Sequence, residues 1–329
     1  MPVRDAVLAV SYRCNARCLI CQIWKLKPEP ELPAKAYRRL PGSLQEINLT
    51  GGEPFLRDDL PELVAAVKAA CPRARLTLIS NGLLPERIQR LLPVLHRLDP
   101  KLGLGFSLDG IGEVHDRVRG VPGAYDRVRS SLDLALRLGF HDLRLSFTQS
   151  RHNPGALGQV YALCRELKLE CSATTAQDSP LYFRTPAGAA PENGHLRRDL
   201  EHVIRQQLLS FSPKRWARAY FYSGLIEFAE QRRRRLPCRA GRDLFFMDSA
   251  GRIYPCPMLP CRMGSLVEQP FAELWLSPAA RRARRQAGQC RDGCWMVCSA
   301  RSAMVRHPHR VLGWVVKHKL KSHLGRAPL

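Results

Sequence analysis

Short runs of β-branched and apolar residues alternate with amphipathic stretches through the first half of the chain, the pattern of a parallel sheet wrapped by helices. The runs predict strands at Leu8–Tyr12, Glu46–Thr50, Arg75–Ile79, Gly103–Ser107, Leu143–Thr148 and Glu170–Thr175. Between them the 3.6-residue period predicts helices at Asp59–Ala70, Pro85–Arg97, Ala124–Leu138 and Pro154–Leu167. Six strand–helix steps are too few for a closed eight-fold barrel, so the expected fold is α/β, a partial (β/α)6 barrel over residues 1–184. From about Thr185 to Pro237 the strand signal disappears and polar helical stretches take over, including the run Arg232–Arg235, which reads as a helical bridge. A β-hairpin is expected at Leu244–Met247 and Arg252–Tyr254 around the turn Asp248, Ser249, Ala250, Gly251. It falls in a small cysteine-rich domain, 238–300, followed by a basic amphipathic tail, 301–329. No internal repeat and no low-complexity segment is present.

The chain has 329 residues, 45% of them apolar, enough for one large core or two modest ones and incompatible with a disordered or fibrous class. Its 52 Lys and Arg against 29 Asp and Glu give a net charge of +23, which argues for a polyanionic partner or surface. The excess lies mostly in the second half: residues 185–329 carry half of the basic side chains but only 10 acids. The apolar run Val311–Val316 is interrupted by Gly313 and is too short to span a bilayer. The opening MPVRDAVLAVSY lacks the basic, long-apolar, small-residue succession of a signal peptide, so a cytoplasmic location is expected, where twelve cysteines are not structural disulfides.

Nine of the twelve cysteines fall in two groups, Cys14, Cys18 and Cys21, and then Cys238, Cys256, Cys261, Cys290, Cys294 and Cys298. Clustered thiols in a reducing compartment read as metal or iron–sulfur ligands. In SYRCNARCLICQIW, directly after the first strand, the spacing is Cys-x-x-x-Cys-x-x-Cys. Three thiolates from one tight loop can hold three irons of a 4Fe–4S cube and leave the fourth open, whereas a zinc site would want a fourth Cys or His nearby. With the downstream Gly-Gly-Glu-Pro at 51–54, this pattern resembles the radical S-adenosylmethionine (radical SAM) superfamily.

The resemblance implies an enzyme in which the amino and carboxylate groups of SAM chelate the open iron. An electron then splits the sulfonium to methionine and a 5′-deoxyadenosyl radical, which takes a hydrogen atom from the substrate. It implies Cys14, Cys18 and Cys21 as ligands, Ile20 beside the adenine, and an external electron donor such as flavodoxin or ferredoxin. Gly51 and Gly52 admit close backbone approach and Glu53 offers an acceptor for an ammonium, which suits the methionine end of SAM. Polar residues at later strand ends, Ser80 and Asn81, Ser107 and Asp109, Thr148 and Gln149, lie at the edge where barrel enzymes build their sites. By resemblance they contact the ribose and methionine; Asp109 could equally cap its own loop. FSLDGIGEVHDRVRG resembles a further family signature with Arg119 as a carboxylate contact, and Arg117, Arg127 and Arg129 compete for that role.

The second cysteine group, in the order Cys238, hairpin with Gly251, Cys256, Cys261, then QCRDGCWMVC, resembles the SPASM or twitch extension of radical SAM enzymes. That extension implies one or two auxiliary 4Fe–4S clusters. Six cysteines stand where seven are usual, so one fully ligated auxiliary cluster is expected, with a structural zinc site as the alternative.

The expected substrate is a ribosomal peptide or protein; peptide maturases often carry a leader-binding domain before the barrel, which is expected here to begin at about residue 7, so a leader would be bound by a partner protein. The alternative is a lipid, lipid-linked sugar or other anionic metabolite at a membrane surface. From Val311 to Leu324, Val311, Leu312, Val315, Val316, Leu320 and Leu324 recur at helical spacing beside Trp314 and three lysines, which fits either an anionic membrane surface or a helix packed on the barrel. Nucleic acid is disfavoured, because no aromatic stacking platform is interleaved with the charge. Cys71 and Cys164 read as structural. Cys171, on the sixth strand, is the candidate hydrogen-atom donor if it faces the barrel interior, and Tyr182 and Asp178 are further interior candidates. A non-enzymatic iron–sulfur or zinc protein would explain the cysteines but not Gly51–Pro54 or the polar strand ends.

Overall fold

The computed structural model describes residues 2–27, 29–176, 179, 181–185, 188–191, 193–290, 294–324, 327 and 329. Six strands lie side by side in chain order and all parallel: β1 Asp5–Ser11, β2 Glu46–Gly51, β3 Arg75–Ser80, β4 Gly103–Ser107, β5 Leu143–Gln149 and β6 Glu170–Thr175. Their connections contain α1 Leu60–Ala70, α2 Pro85–Leu98, α3 Glu113–Arg119, α4 Ala124–Arg137 and α5 Ala156–Glu166. Each long helix turns an i, i+4, i+7 stripe onto the sheet: Ile88, Leu92 and Leu95 in α2, Val128, Leu132 and Ala135 in α4. β6 and β1 do not pair, so the sheet is open and the barrel partial, as the six-step count predicts.

The helices expected over 185–237 are present: α6 Asn193–Leu209 and α7 Pro213–Gln231 pack on each other, and α7 also packs on β6. The Tyr222 hydroxyl donates to the Cys171 carbonyl and accepts from the Ala173 N–H, each at 3.1 Å, which satisfies backbone groups that an edge strand would leave open. The hairpin stands where the sequence predicts it, β7 Leu244–Met247 and β8 Arg252–Tyr254, and it joins the barrel sheet. β7 lies parallel to β1, β8 and the short β9 Gly264–Ser265 follow antiparallel, and the sheet has nine strands. The physical reason is the free edge of β1, which the fully buried Leu244–Met247 covers.

Four helices complete the chain: α8 Phe271–Leu276, α9 Pro278–Gly288, α10 Val297–Arg306 and α11 Pro308–His323. FAELWL makes up the whole of α8, because Pro270 precedes it and Pro278 starts the next helix. Trp295 joins the cysteine-rich end to the body. It is fully buried, donates to the Phe221 carbonyl at 2.8 Å, and fills the space beside Gly224 of α7, where a Cβ would collide with its ring. No described helix is long and apolar enough to cross a membrane.

Candidate active site

The loop after β1 brings Cys14, Cys18 and Cys21 to the carboxyl end of the parallel strands, Cys18 buried and the other two half-buried. Backbone bonds fix it: the N–H groups of Arg17 and Leu19 donate to the Arg119 and Val118 carbonyls at the end of α3, each at 2.9 Å, and Gln22 N–H donates to Phe183. Gly120 makes this possible, since it is left-handed and a Cβ there would run into the Arg17 carbonyl. Burial pushes all three thiols up, Cys14 to about 11 and Cys21 to about 12, as expected for sulfurs that become thiolates only with a cation beside them. Two donors wait there: Asn81 Nδ2 is 3.8 Å from Cys14 Sγ and an Arg119 guanidinium nitrogen is 3.8 Å from Cys18 Sγ. Three thiols on one loop, faced by an amide and a guanidinium, form a donor set that fits an anionic iron–sulfur cluster. Among the described residues no three His, Cys, Asp or Glu side chains converge closely enough for a single metal ion.

Gly51 and Gly52 are required by the chain's own backbone. A Cβ at either would strike the carbonyl of Ser11 or of Arg13, because the β2 end lies against the start of the cysteine loop, to which the N–H groups of Gly52 and Glu53 donate at 2.7 and 2.8 Å. Glu53 is fully buried and its carboxylate accepts from Phe55 N–H at 3.0 Å, Ser80 Oγ at 2.9 Å and Asn81 N–H at 2.7 Å. Burial pushes its pKa up to about 7 against the pull of those donors. Three of roughly four acceptor positions are therefore used, and one is left for a ligand. Ile20 is buried beside Cys18, and Ser107 is half-buried at the β4 end.

Asp109 and Arg119 form a buried ion pair at 2.7 Å, the carboxylate also accepting Thr148 N–H at 2.8 Å. Burial pushes the Asp109 carboxyl up, with Arg119 pulling it back, while Asp109 and the nearby thiols hold the guanidinium charged against its burial. Of the competing arginines, Arg119 is the one whose guanidinium reaches a loop thiol among the described residues, and its Nε has no hydrogen-bond partner among them. Gln149 donates to Asp199 at 2.7 Å, which draws its amide toward α6. Tyr182 is at the site, its hydroxyl bonding the Gly51 carbonyl at 3.0 Å and Thr50 at 3.2 Å, with Phe246 and Phe183 against its ring. Asp178 lies outside the described residues.

Cys171 is a correction. Its thiol is buried and hydrogen-bonded to Cys164 on α5, in the layer between sheet and helices, so it does not face the barrel interior. The strand period leaves both faces open for a residue at a barrel edge, and only the packing of α5 decides between them. The sequence missed Arg57, which is 2% exposed, donates to the Val10 and Leu32 carbonyls at 2.7 and 3.0 Å and pairs with Asp59. Its signal was an arginine three residues after the Gly-Gly-Glu-Pro segment.

Among the later cysteines, Cys238, Cys256, Cys290 and Cys294 line a cavity of about 1080 Å³ between the end of β6, the end of α7 and the cysteine-rich segment. Burial raises the Cys256 and Cys298 thiols, the latter to about 12, and neighbouring thiols add to it: Cys294 and Cys238 act on both. Cys261 is influenced by Cys290. Arg232, Arg234, Arg235 and Arg310 also line the cavity, and its described lining contains no acid. Arg235 is paired with Glu227 at 2.6 Å, and Arg234 donates to the Cys294 carbonyl. Arg232 and Arg310 have no ion pair among the described residues.

Residues 8–149 match the family model of the Radical SAM superfamily, and residues 238–299 match SPASM, an iron–sulfur cluster-binding domain. The chain is 24% identical over 309 residues to the AdoMet-dependent heme synthase of Methanosarcina barkeri (strain Fusaro / DSM 804), covering 85% of this chain and 84% of that protein. It is 23% identical over 314 residues to the pre-heme d1 synthase of Dinoroseobacter shibae (strain DSM 16493 / NCIMB 14021 / DFL 12), covering 84% and 76%. Its fold is similar to that of native anSMEcpe with bound AdoMet and Cp18Cys peptide, with a TM-score of 0.65, 16% identity, and coverage of 96% of this chain and 99% of that one.

Proposed function

Since the chain is a radical SAM enzyme with a SPASM-type iron–sulfur domain, using SAM and 4Fe–4S clusters, we propose that Cys14, Cys18 and Cys21 hold the cluster that binds SAM. The observation that carries this is the meeting of three thiols with the Asn81 amide, the Arg119 guanidinium and the Gly51–Glu53 turn at one sheet edge. Given one electron from an external flavodoxin- or ferredoxin-like donor, the cluster supplies cleavage of SAM to methionine and a 5′-deoxyadenosyl radical, which becomes 5′-deoxyadenosine by taking a substrate hydrogen atom. The chain's residues orient and seal: Glu53 and the Gly51 carbonyl face the ammonium, Ser107 and Asn81 the ribose and carboxylate, Ile20 the adenine, and Asp109 fixes Arg119 beside the sulfurs. Four of the six later cysteines hold one auxiliary cluster at the arginine-lined cavity, where Cys238, Cys256, Cys290 and Cys294 line the wall and Cys298 lies close enough to feel Cys294 and Cys238.

The substrate is anionic and enters the arginine-lined cavity, with Arg232 and Arg310 as its first contacts. A cavity of this size takes a large metabolite or a peptide segment. The long-range sequence relatives are tetrapyrrole synthases, which favours a carboxylate-bearing macrocycle; an acidic stretch of a ribosomal peptide meets the same guanidiniums and is favoured by the fold shared with a peptide-bound enzyme.

The test is 5′-deoxyadenosine formation by anaerobically reconstituted, reduced enzyme, alone and with Fe-coproporphyrin III, with acidic peptides, or with lipid extract. Failure to cleave SAM with full iron content would overturn the catalytic assignment, and cleavage persisting in a Cys14→Ala, Cys18→Ala, Cys21→Ala variant would overturn the ligand set. Stimulation undiminished in Arg232→Ala, Arg310→Ala would refute the cavity as the anion site.

A further inference from the structure

Helix α11 is packed by one face and bare on another. Trp314 meets Tyr220 edge-on with ring centroids 5.5 Å apart, Val315 and Ser322 are buried, and Lys319 Nζ donates to the Leu208 and Ser210 carbonyls at 2.6 and 2.9 Å. Those bonds cap the carboxyl end of α6 and fix the rotation of α11 about its axis. On the opposite side Leu312, Val316, Leu320 and Leu324 follow at intervals of four, each between 60% and 63% exposed. That interval keeps them on one face. Phe211, in the turn between α6 and α7, is 93% exposed with the Lys319 ammonium 5.7 Å from its ring, so it extends the stripe sideways.

We propose that this face of α11, with Phe211, docks the enzyme on a membrane surface rich in anionic lipid. Singly exposed apolar residues are ordinary, but four aliphatic side chains in file along a helix roughly 24 Å long form a contiguous strip. Lys317 and Lys321 follow it along the same helix, and residues 301–329 carry seven Lys and Arg and no acid. An apolar strip with a basic border matches a lipid surface, where the side chains enter the acyl boundary and the cations meet headgroup phosphates. The helix lies on such a surface and does not cross it. The packed face keeps α11 on the body, so docking needs no unfolding, and it is independent of which substrate the enzyme takes.

The test is co-sedimentation of the full, cluster-loaded enzyme with vesicles of phosphatidylcholine alone and of phosphatidylcholine with phosphatidylglycerol. Binding to the anionic vesicles, weakened by salt, is expected, with little binding to the neutral ones. Val316→Ser, Leu320→Ser should weaken it at least about tenfold, and Lys317→Gln or Lys321→Gln about fivefold each. All these variants should keep wild-type iron content and 5′-deoxyadenosine formation in solution, which excludes misfolding as the cause. Equal binding to both vesicle types, or undiminished binding by the serine variant, would overturn the proposal. A concentration-dependent dimer lost in the serine variant, with no vesicle binding, would overturn it too and give the strip to a second copy of the chain.

Discussion

Replacing Asp109 with Asn should leave Arg119 as an uncompensated buried charge. Asp109 is fully buried, holds Arg119 at 2.7 Å and accepts Thr148 N–H, and an Asn keeps the shape and that second bond. Removing one partner of a buried ion pair costs about 3–5 kcal/mol, because a guanidinium cannot shed its proton. The converse change, Arg119→Gln, should cost less at low pH, since a buried carboxyl can take up a proton instead. Its folded pKa would then lie well above the ordinary value near 3.8, so that variant is most stable below the ordinary value and loses up to about 1.4 kcal/mol per pH unit as pH rises toward the folded pKa. The doubly neutral Asp109→Asn, Arg119→Gln protein should recover most of the loss, as the cycle removes both charges. Urea unfolding of cluster-free protein at about pH 5 and about pH 8 measures this: Asp109→Asn reduced at both, Arg119→Gln reduced more at the higher pH. Cluster loading should shrink the Asp109→Asn deficit, because the thiolates beside Arg119 replace the lost partner. A deficit under about 1 kcal/mol, or equal pH-independent deficits for the two single variants, would refute the reasoning.

Gly51→Ala or Gly52→Ala should lower cluster incorporation and SAM binding together, since the added methyl meets the Ser11 or Arg13 backbone; iron content and equilibrium dialysis check it. Glu53, with a folded pKa of about 7, is partly protonated near neutrality, so SAM affinity should rise with pH up to about that value as the arriving ammonium expels a proton. Calorimetry in buffers of different ionisation enthalpy should detect that proton, and Glu53→Gln should abolish it. Trp295→Ala should cost about 3–5 kcal/mol and reduce auxiliary iron while sparing the Cys14–Cys21 site, which Mössbauer spectroscopy can count.

The six strands, most of the barrel helices and the hairpin were legible because their patterns are local: alternating or continuous apolar runs, helical stripes, and glycines at turns. The cysteine spacings and the Gly-Gly-Glu-Pro segment were legible for the same reason, since their chemistry is written within one loop. The helix α3 escaped because seven residues carry too little periodicity, although its carbonyls anchor the cysteine loop. Cys171 was misplaced because alternation along a strand says that two faces exist and not which one meets Cys164. Arg119 was singled out as a carboxylate contact with Arg117, Arg127 and Arg129 as competitors, and only the fold places its guanidinium 3.8 Å from a thiol.

By itself the sequence determined the chemistry class: a loop of three thiols after the first strand, a second set around a glycine-bearing hairpin, and a parallel sheet to carry them. Tertiary structure alone decided that the hairpin extends the barrel sheet along β1, that α7 covers the β6 edge, that four arginines line the cavity beside the later cysteines, and that α11 turns one apolar face inward and one outward. Each of these joins residues far apart in the chain, and each depends on which free edge or buried charge finds a partner first. Local periodicity carries no information about such partners, because hydrogen-bond and charge pairing across the fold is set by distance in space.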